Sequence, residues 1–271
     1  MIGQKNILKW VGNNVNSFPH FIVIVGSRGS GKRTLCKTIA HKILCTYSEC
    51  EIAVDAVRAV IDTSYGSHTK VMYCFADADN MRPQAKNAML KITEEPPENA
   101  YFCLTVCDSG TLLDTIKSRA YIINIEEYTS SDIGEYSVDK YNSAYKGTLK
   151  YFKTFCTTPG EVNLLQSYEP EEFVNYVELV VDNIAQVEPA NAFKSSSKLS
   201  LGKEEGYDLL LFFKTFIKIC EIRIEKNPEY YAKGILATEK YLKFVERQGI
   251  NRKQLYDSWV FEIRNAWIES E

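Results

Sequence analysis

The residues with the clearest chemical potential are Gly26-Ser27-Arg28-Gly29-Ser30-Gly31-Lys32-Arg33-Thr34. Glycines at this density let several backbone N–H groups curl around one anion, and a helix starting just after them adds partial positive charge. Lys32 supplies an ammonium that would reach terminal phosphates. The chemistry is therefore the holding of phosphate groups, with Gly26, Gly29, Ser30, Gly31, Lys32, Arg33 and Thr34 as candidate ligands. The usual pattern has Ser or Thr directly after the lysine, to hold Mg²⁺. This chain has Arg33, and a cation cannot ligate a cation. Thr34 stands one residue on, about 100° around a helix, and is expected to point elsewhere. A second cluster is Asp77-Ala78-Asp79 at the end of an apolar run. Phosphate-loop ATPases use acids at such a strand end to hold Mg²⁺ and to orient the attacking water.

The elements that must position these groups are legible on either side. Phe21–Val25 is an apolar run that reads as a strand, and Leu35, Ile39 and Ile43 lie on one face of a helix after the loop. Met1–Pro19 reads as a helix after a short lead-in, and Cys45–Ile52 as a connector into a helix running to Thr63. Val71–Ala76 and Ala100–Val106 are nearly continuous apolar runs, as expected of strands covered on both faces. Pro83–Thr93 is a helix with Pro in its first turn, stopped by Pro96-Pro97. Leu112–Ser118 reads as a short helix and Tyr121–Ile125 as a final strand. Alternation of strands and helices predicts an α/β unit with a parallel sheet. Beyond Ile125 the texture changes to helices almost to the end, with strong apolar faces such as Leu209–Ile224. Trp259 and Trp267 lie on one face of the last helix.

Four stretches between Lys70 and Ala120 resemble the sliding-clamp loader branch of the AAA+ ATPases. Asp77-Ala78-Asp79-Asn80-Met81 is similar to the family's Asp-Glu-Ala-Asp-Lys-Met, and Gln84-Ala85-Lys86-Asn87-Ala88-Met89-Leu90-Lys91 to its Gln-Ala-x-Asn-Ala-Leu-Leu-Lys. Glu94-Glu95-Pro96-Pro97-Glu98-Asn99 resembles its Glu-Glu-Pro-Pro-x-Asn, and Thr115-Ile116-Lys117-Ser118-Arg119-Ala120 its Thr-Ile-x-Ser-Arg-Cys. Gly3-Gln4 matches an N-terminal Gly-Gln box whose backbone abuts the adenine in that family, and Val54–Arg58 a Val-Asp-x-Ile-Arg element. The resemblance implies an α/β AAA+ core (a RecA-like parallel sheet with flanking helices) over residues 1–125. A helical lid over 126–167 and an all-α collar bundle over 168–271 would follow.

The departures are specific. On this correspondence Ala76 takes the Mg²⁺-holding position of the strand-end (Walker B) motif and Asp77 the catalytic Glu position, one methylene shorter. The polar sensor after the fourth strand falls at Val106 or Cys107, and Thr157-Thr158-Pro159-Gly160-Glu161 lacks the lid arginine. Metal and positioned charges supply most of the catalysis in phosphoryl transfer, so these losses together predict no hydrolysis. Arg119 is kept. In the family this arginine points across a subunit interface, and such a finger in trans is worth about 10³–10⁵ in rate. A chain with a degraded site and a retained finger resembles the delta-prime type of bacterial subunit. That implies a hetero-pentamer with ATPase and clamp-opening subunits, acting on a sliding clamp and primer-template DNA. ATP or ADP is a possible ligand, with Mg²⁺ poorly held. The family's four-cysteine zinc module is absent, only Tyr47–Ala53 filling its place, so neither zinc nor another metal is expected.

Composition sets the outer bounds. The chain has 271 residues, 45% hydrophobic and 25% charged, with a net charge of −3. No strong overall field attracts nucleic acid, so DNA contact must come from a local patch or a partner. The eight cysteines form no CxxC pair and read as buried thiols in a reducing compartment. No signal segment and no apolar run of roughly 20 residues is present, so the expectation is a soluble cytoplasmic protein of a bacterium or phage-infected cell, without a membrane partner. Plainer readings stand beside the chemical ones. Lys32 can be a relic holding an empty loop, Asp77 and Asp79 can be capping residues, Glu94-Glu95 a solvated helix end, and Arg119 can pair within its own chain. The competing functions are a working clamp-loader ATPase using Asp77 and a rearranged Thr34, and a different phosphate-loop protein such as a nucleotide kinase.

Overall fold

The computed structural model describes residues 2–141, 147–202, 205–245 and 249–268. The chain forms two units, Met1–Tyr136 with Thr157–Gly160, and Ser137–Cys156 with Glu161–Glu271.

In the first unit five parallel strands make one sheet. They are β1 (Phe21–Val25), β2 (Thr46–Cys50), β3 (Val71–Phe75), β4 (Ala100–Val106) and β5 (Tyr121–Asn124), in the order β2-β3-β4-β1-β5. The central strands β1 and β4 pair from Phe21 with Phe102 to Val25 with Val106. Both carry apolar residues at successive positions because helices cover both faces. On one face α1 (Lys5–Asn13) and α2 (Lys32–Lys42) bury Val11, Leu35, Cys36 and Ile39 against Ile22, Ile24, Met72 and Cys103. On the other, α3 (Val54–Ser64), α4 (Pro83–Ala88), α5 (Leu90–Glu94) and α6 (Asp114–Lys117) bury Val57, Ala85, Ile92 and Ile116 against Val23, Phe75, Phe102 and Leu104.

Two elements differ from the expectation. The segment read as a connector, Cys45–Ile52, contains β2, which pairs with β3 from Thr46–Val71 to Cys50–Phe75. Its Thr-Tyr-Ser-Glu-Cys sequence lacks an apolar run because an edge strand is only partly covered. The predicted helix Pro83–Thr93 is also divided, with Met89 between α4 and α5.

The helices that follow are α7 (Ser130–Tyr141), α8 (Leu149–Phe155), α9 (Pro159–Ser167), α10 (Pro170–Asn183), α11 (Pro189–Lys194), α12 (Leu209–Arg223), α13 (Pro228–Val245) and α14 (Arg252–Ile268). The core of the second unit is aromatic. Trp259 lies 5.1 Å from Phe213, 5.0 Å from Phe216 and 5.3 Å from Tyr256, centroid to centroid, and its indole N–H donates to Thr238 at 3.0 Å. Trp267 stacks on Tyr230 at 4.3 Å and donates to the Tyr230 carbonyl at 2.7 Å. Both indoles are fully buried, so these rings are packing groups and present no face for stacking on bases.

Candidate nucleotide-binding site

The phosphate-binding loop joins the end of β1 to the start of α2, so the sheet fixes one end and the helix N-terminus the other. Gly29 and Gly31 take left-handed backbone conformations within it, at φ 77° and 85°. Ser30 is buried at the helix start, and its hydroxyl has no hydrogen-bond partner among the described residues. An orphaned buried hydroxyl at the N-terminus of an eleven-residue helix is suited to an anion's oxygen. Lys32 is buried at the same place, and its ammonium donates to the carbonyls of Gly26 at 2.8 Å and Ser27 at 3.0 Å. Its third contact is the Cys107 Sγ at 3.5 Å. The residues present therefore fit a phosphate group, which the loop amides, Ser30 and Lys32 would hold.

They do not fit a divalent metal. Arg33 reaches from the first turn of α2 to the end of β3, where it pairs with Asp77 at 2.6 Å and with Glu49 of β2 at 3.3 Å. Partial burial disfavours the charged guanidinium, but the hydrogen bond and charge of Asp77, joined by the charge of Glu49, outweigh it and hold the Arg33 pKa above its ordinary value. The carboxylate that would orient a water is thus already neutralised by a protein cation. A cavity of about 360 Å³ beside Arg33 is walled by Glu49, Glu51 and Ala76, which offers phosphates no welcome on that side. Thr34, one step further round the helix, is exposed. Asp77 itself sits at φ 53°, an uncommon conformation for a non-glycine residue.

The remaining predicted residues separate into two groups. Gly3 and Gln4 lie near the loop, but their visible work is structural. Gln4 is fully buried and exchanges two 2.9 Å hydrogen bonds with the backbone of Glu126, one as donor and one as acceptor. A Cβ on Gly3 would lie 2.8 Å from the Tyr128 ring, and the Tyr128 hydroxyl donates to the Ser30 carbonyl at 2.8 Å. Tyr128 thereby links the N-terminal box to the loop, a role that no spacing in the sequence announces. Asp79 caps nothing in the helix that follows it. Its carboxylate accepts from the backbone N–H groups of Cys107, at 2.8 and 3.0 Å, and of Asp108, at 3.2 Å. It therefore ties down the loop after β4.

The tip of the phosphate loop has a second contact, one that the sequence does not announce. The Gly160 N–H donates to the Gly29 carbonyl at 2.9 Å. A Cβ built on Gly160 would stand 2.5 Å from the Gly29 Cα, so two backbones touch there. The signal was in plain view as Pro159-Gly160, but nothing local says which backbone approaches. Next to it Glu161, in place of a lid arginine, forms an ion pair with Lys214 of α12.

Arg119 lies at the end of α6, 39% exposed. It pairs with Glu94 at 2.9 Å and donates to the Thr115 carbonyl at 3.1 Å. The plainer reading of Arg119 as an intrachain partner is thus realised in the isolated chain, and Glu94 is not merely solvated. An ion pair this exposed is worth about 0.2–1 kcal/mol, so it holds the guanidinium loosely.

A family model described as "DNA polymerase III, delta subunit" matches residues 47–129. The DNA polymerase III subunit delta' of Haemophilus influenzae is 30% identical over 139 residues, covering 39% of this chain and 42% of the relative. The subunit delta' of Yersinia pestis is 40% identical over 75 residues, 26% of this chain and 22% of the relative. The subunit gamma of Buchnera aphidicola is 25% identical over 166 residues, 49% of this chain and 46% of the relative. The matched region thus spans less than half the length of these relatives. Among solved structures, a DNA polymerase III gamma subunit-related protein of Thermotoga maritima aligns with a TM-score of 0.53 at 17% identity, over 96% of this chain and 99% of that one. The RuvB Holliday junction branch migration motor of the same organism aligns at 0.53 and 17%, over 95% and 88%. These likenesses establish the AAA+ fold, and the sequence matches establish a resemblance to clamp-loader subunits of the delta-prime and gamma/tau kinds.

Proposed function

We propose that this chain, a clamp-loader-like AAA+ protein resembling delta-prime, is a non-hydrolysing subunit of a DNA sliding-clamp loader. In this reading residues 1–125 are the nucleotide-binding core, 126–167 the lid and 168–271 the collar that assembles with other subunits. The observation that carries it is the Arg33–Asp77–Glu49 ion cluster, which sets a protein cation against the strand-end acid, and this supports a reading in which Mg²⁺ is poorly held. Positioned metal charge is the main source of catalysis in phosphoryl transfer, and a site without it binds but does not turn over.

When bound, ATP or ADP would supply an anion for the loop amides, the Ser30 hydroxyl and Lys32. Lys32 would exchange the carbonyls of Gly26 and Ser27 for phosphate oxygens. The chemistry of the assembly then belongs to neighbouring subunits, where Arg119 would act as a finger in trans after leaving Glu94. The partners are ATPase and clamp-opening subunits in a hetero-pentamer, the clamp, and primer-template DNA met through the complex, in the cytoplasm. The test is direct. Purified chain with Mg-ATP should release no phosphate above a blank, and turnover abolished by Lys32→Ala would establish a working ATPase instead.

A further inference from the structure

Three cysteines that the sequence scatters meet in the layer between the sheet and α2. Cys74 of β3 and Cys103 of β4 are register partners on adjacent strands, and Cys36 comes down from α2 above them. Their three Sγ atoms lie within 4.8 Å of one another, and all three residues are fully buried. A fourth sulfur joins them. Met72 precedes Cys74 by two residues, so both face the same layer, and the Cys36 thiol lies 3.5 Å from the Met72 Sδ. Each donor stands on an interior strand, β3 or β4, or on the loop helix, which fixes its position through packing.

We infer that Cys36, Cys74, Cys103 and Met72 form a binding site for a soft monovalent metal ion, Cu(I). Three arguments select the ion. The first is donor type, because three thiols and a thioether, with no carboxylate or imidazole in the set, favour Cu(I) over harder ions. The second is geometry. Metal–sulfur bonds of about 2.3 Å place three trigonal sulfurs about 4.0 Å apart, so closing the cluster onto an ion takes less than about 1 Å of movement. The third is charge. The layer holds Ile22, Ile24, Leu35 and Ile39, with the Tyr47 hydroxyl beside Cys74 as a polar neighbour, and a mainly apolar core disfavours net charge. A monovalent ion leaves the site neutral by displacing one thiol proton to solvent, where a divalent ion has to strip two buried thiols. Copper enters and remains as Cu(I), so no electron is transferred. Occupancy would fasten α2, and with it the phosphate loop, to the sheet.

The test uses the full chain with the two accessible thiols replaced, Cys50→Ser with Cys107→Ser. It is titrated anaerobically with Cu(I) against a bathocuproine-type chelator. The expected result is one retained Cu(I) per chain, an X-ray absorption spectrum with a sulfur-only shell near 2.3 Å, and a fall in affinity of about 100-fold or more in Cys103→Ala. The absorption spectrum is taken on the parent protein, so it decides the matter even if the alanine variant fails to fold. No retained copper, a nitrogen or oxygen shell, or equal retention in a folded Cys103→Ala protein would overturn the site.

Discussion

Arg33 and Asp77 are joined by a 2.6 Å ion pair that connects the start of α2 to the end of β3. A metal bridges those two places in a working phosphate-loop ATPase, and here a side chain does so. The pair is about half exposed on both sides, so its significance is positional more than energetic.

Metal removal follows from this at once. Binding of ADP, measured by calorimetry, should be the same in EDTA as in excess Mg²⁺. Arg33→Thr restores the hydroxyl and removes the guanidinium, and should make binding respond to Mg²⁺. Loss of wild-type binding in EDTA would show that a metal sits there despite Arg33.

Gly160 gives a test with an unusual sign. Replacing glycine by alanine within a helix ordinarily stabilises by about 0.4–1 kcal/mol. Here the new Cβ meets the Gly29 Cα at 2.5 Å, and overpacking against backbone costs about 1–3 kcal/mol. Gly160→Ala should therefore lower the urea midpoint. A rise in the midpoint would mean that the loop and residues 157–160 do not touch in solution.

Gln4 should behave as a structural residue. Gln4→Ala strands the backbone N–H and carbonyl of Glu126, a loss of about 1–3 kcal/mol in chemical denaturation. Nucleotide affinity corrected for the folded fraction should be unchanged, whereas a contact of the Gln4 side chain with the adenine would lower it.

The sequence made the central parts of the fold readable because fully covered strands are apolar nearly throughout, as Phe21–Val25 is and as Ala100–Val106 is but for Thr105. It hid β2, since an edge strand carries no such requirement and Thr46–Cys50 is mixed. At the site, the mismatch of Arg33 was readable from residue type alone. Its partners were not, because Glu49 and Asp77 come from different strands and meet it only through the sheet order. The same holds for Tyr128 on Ser30, for Gly160 on Gly29 and for the convergence of Cys36, Cys74 and Cys103. Such contacts are set by tertiary placement, and a short-range pattern carries no trace of them.

In the proposed assembly Arg119 serves a site other than its own. In the isolated chain it is held by Glu94 in a pair weak enough to release. The decisive measurement is ATPase turnover of the assembly reconstituted with ATPase and clamp-opening subunits from the same source, with Arg119→Ala beside wild type and native mass confirming equal assembly. A finger in trans is worth about 10³–10⁵ at the site that it completes, so the variant should lose that site's share of turnover. Unchanged turnover in a fully assembled Arg119→Ala complex would contradict the account.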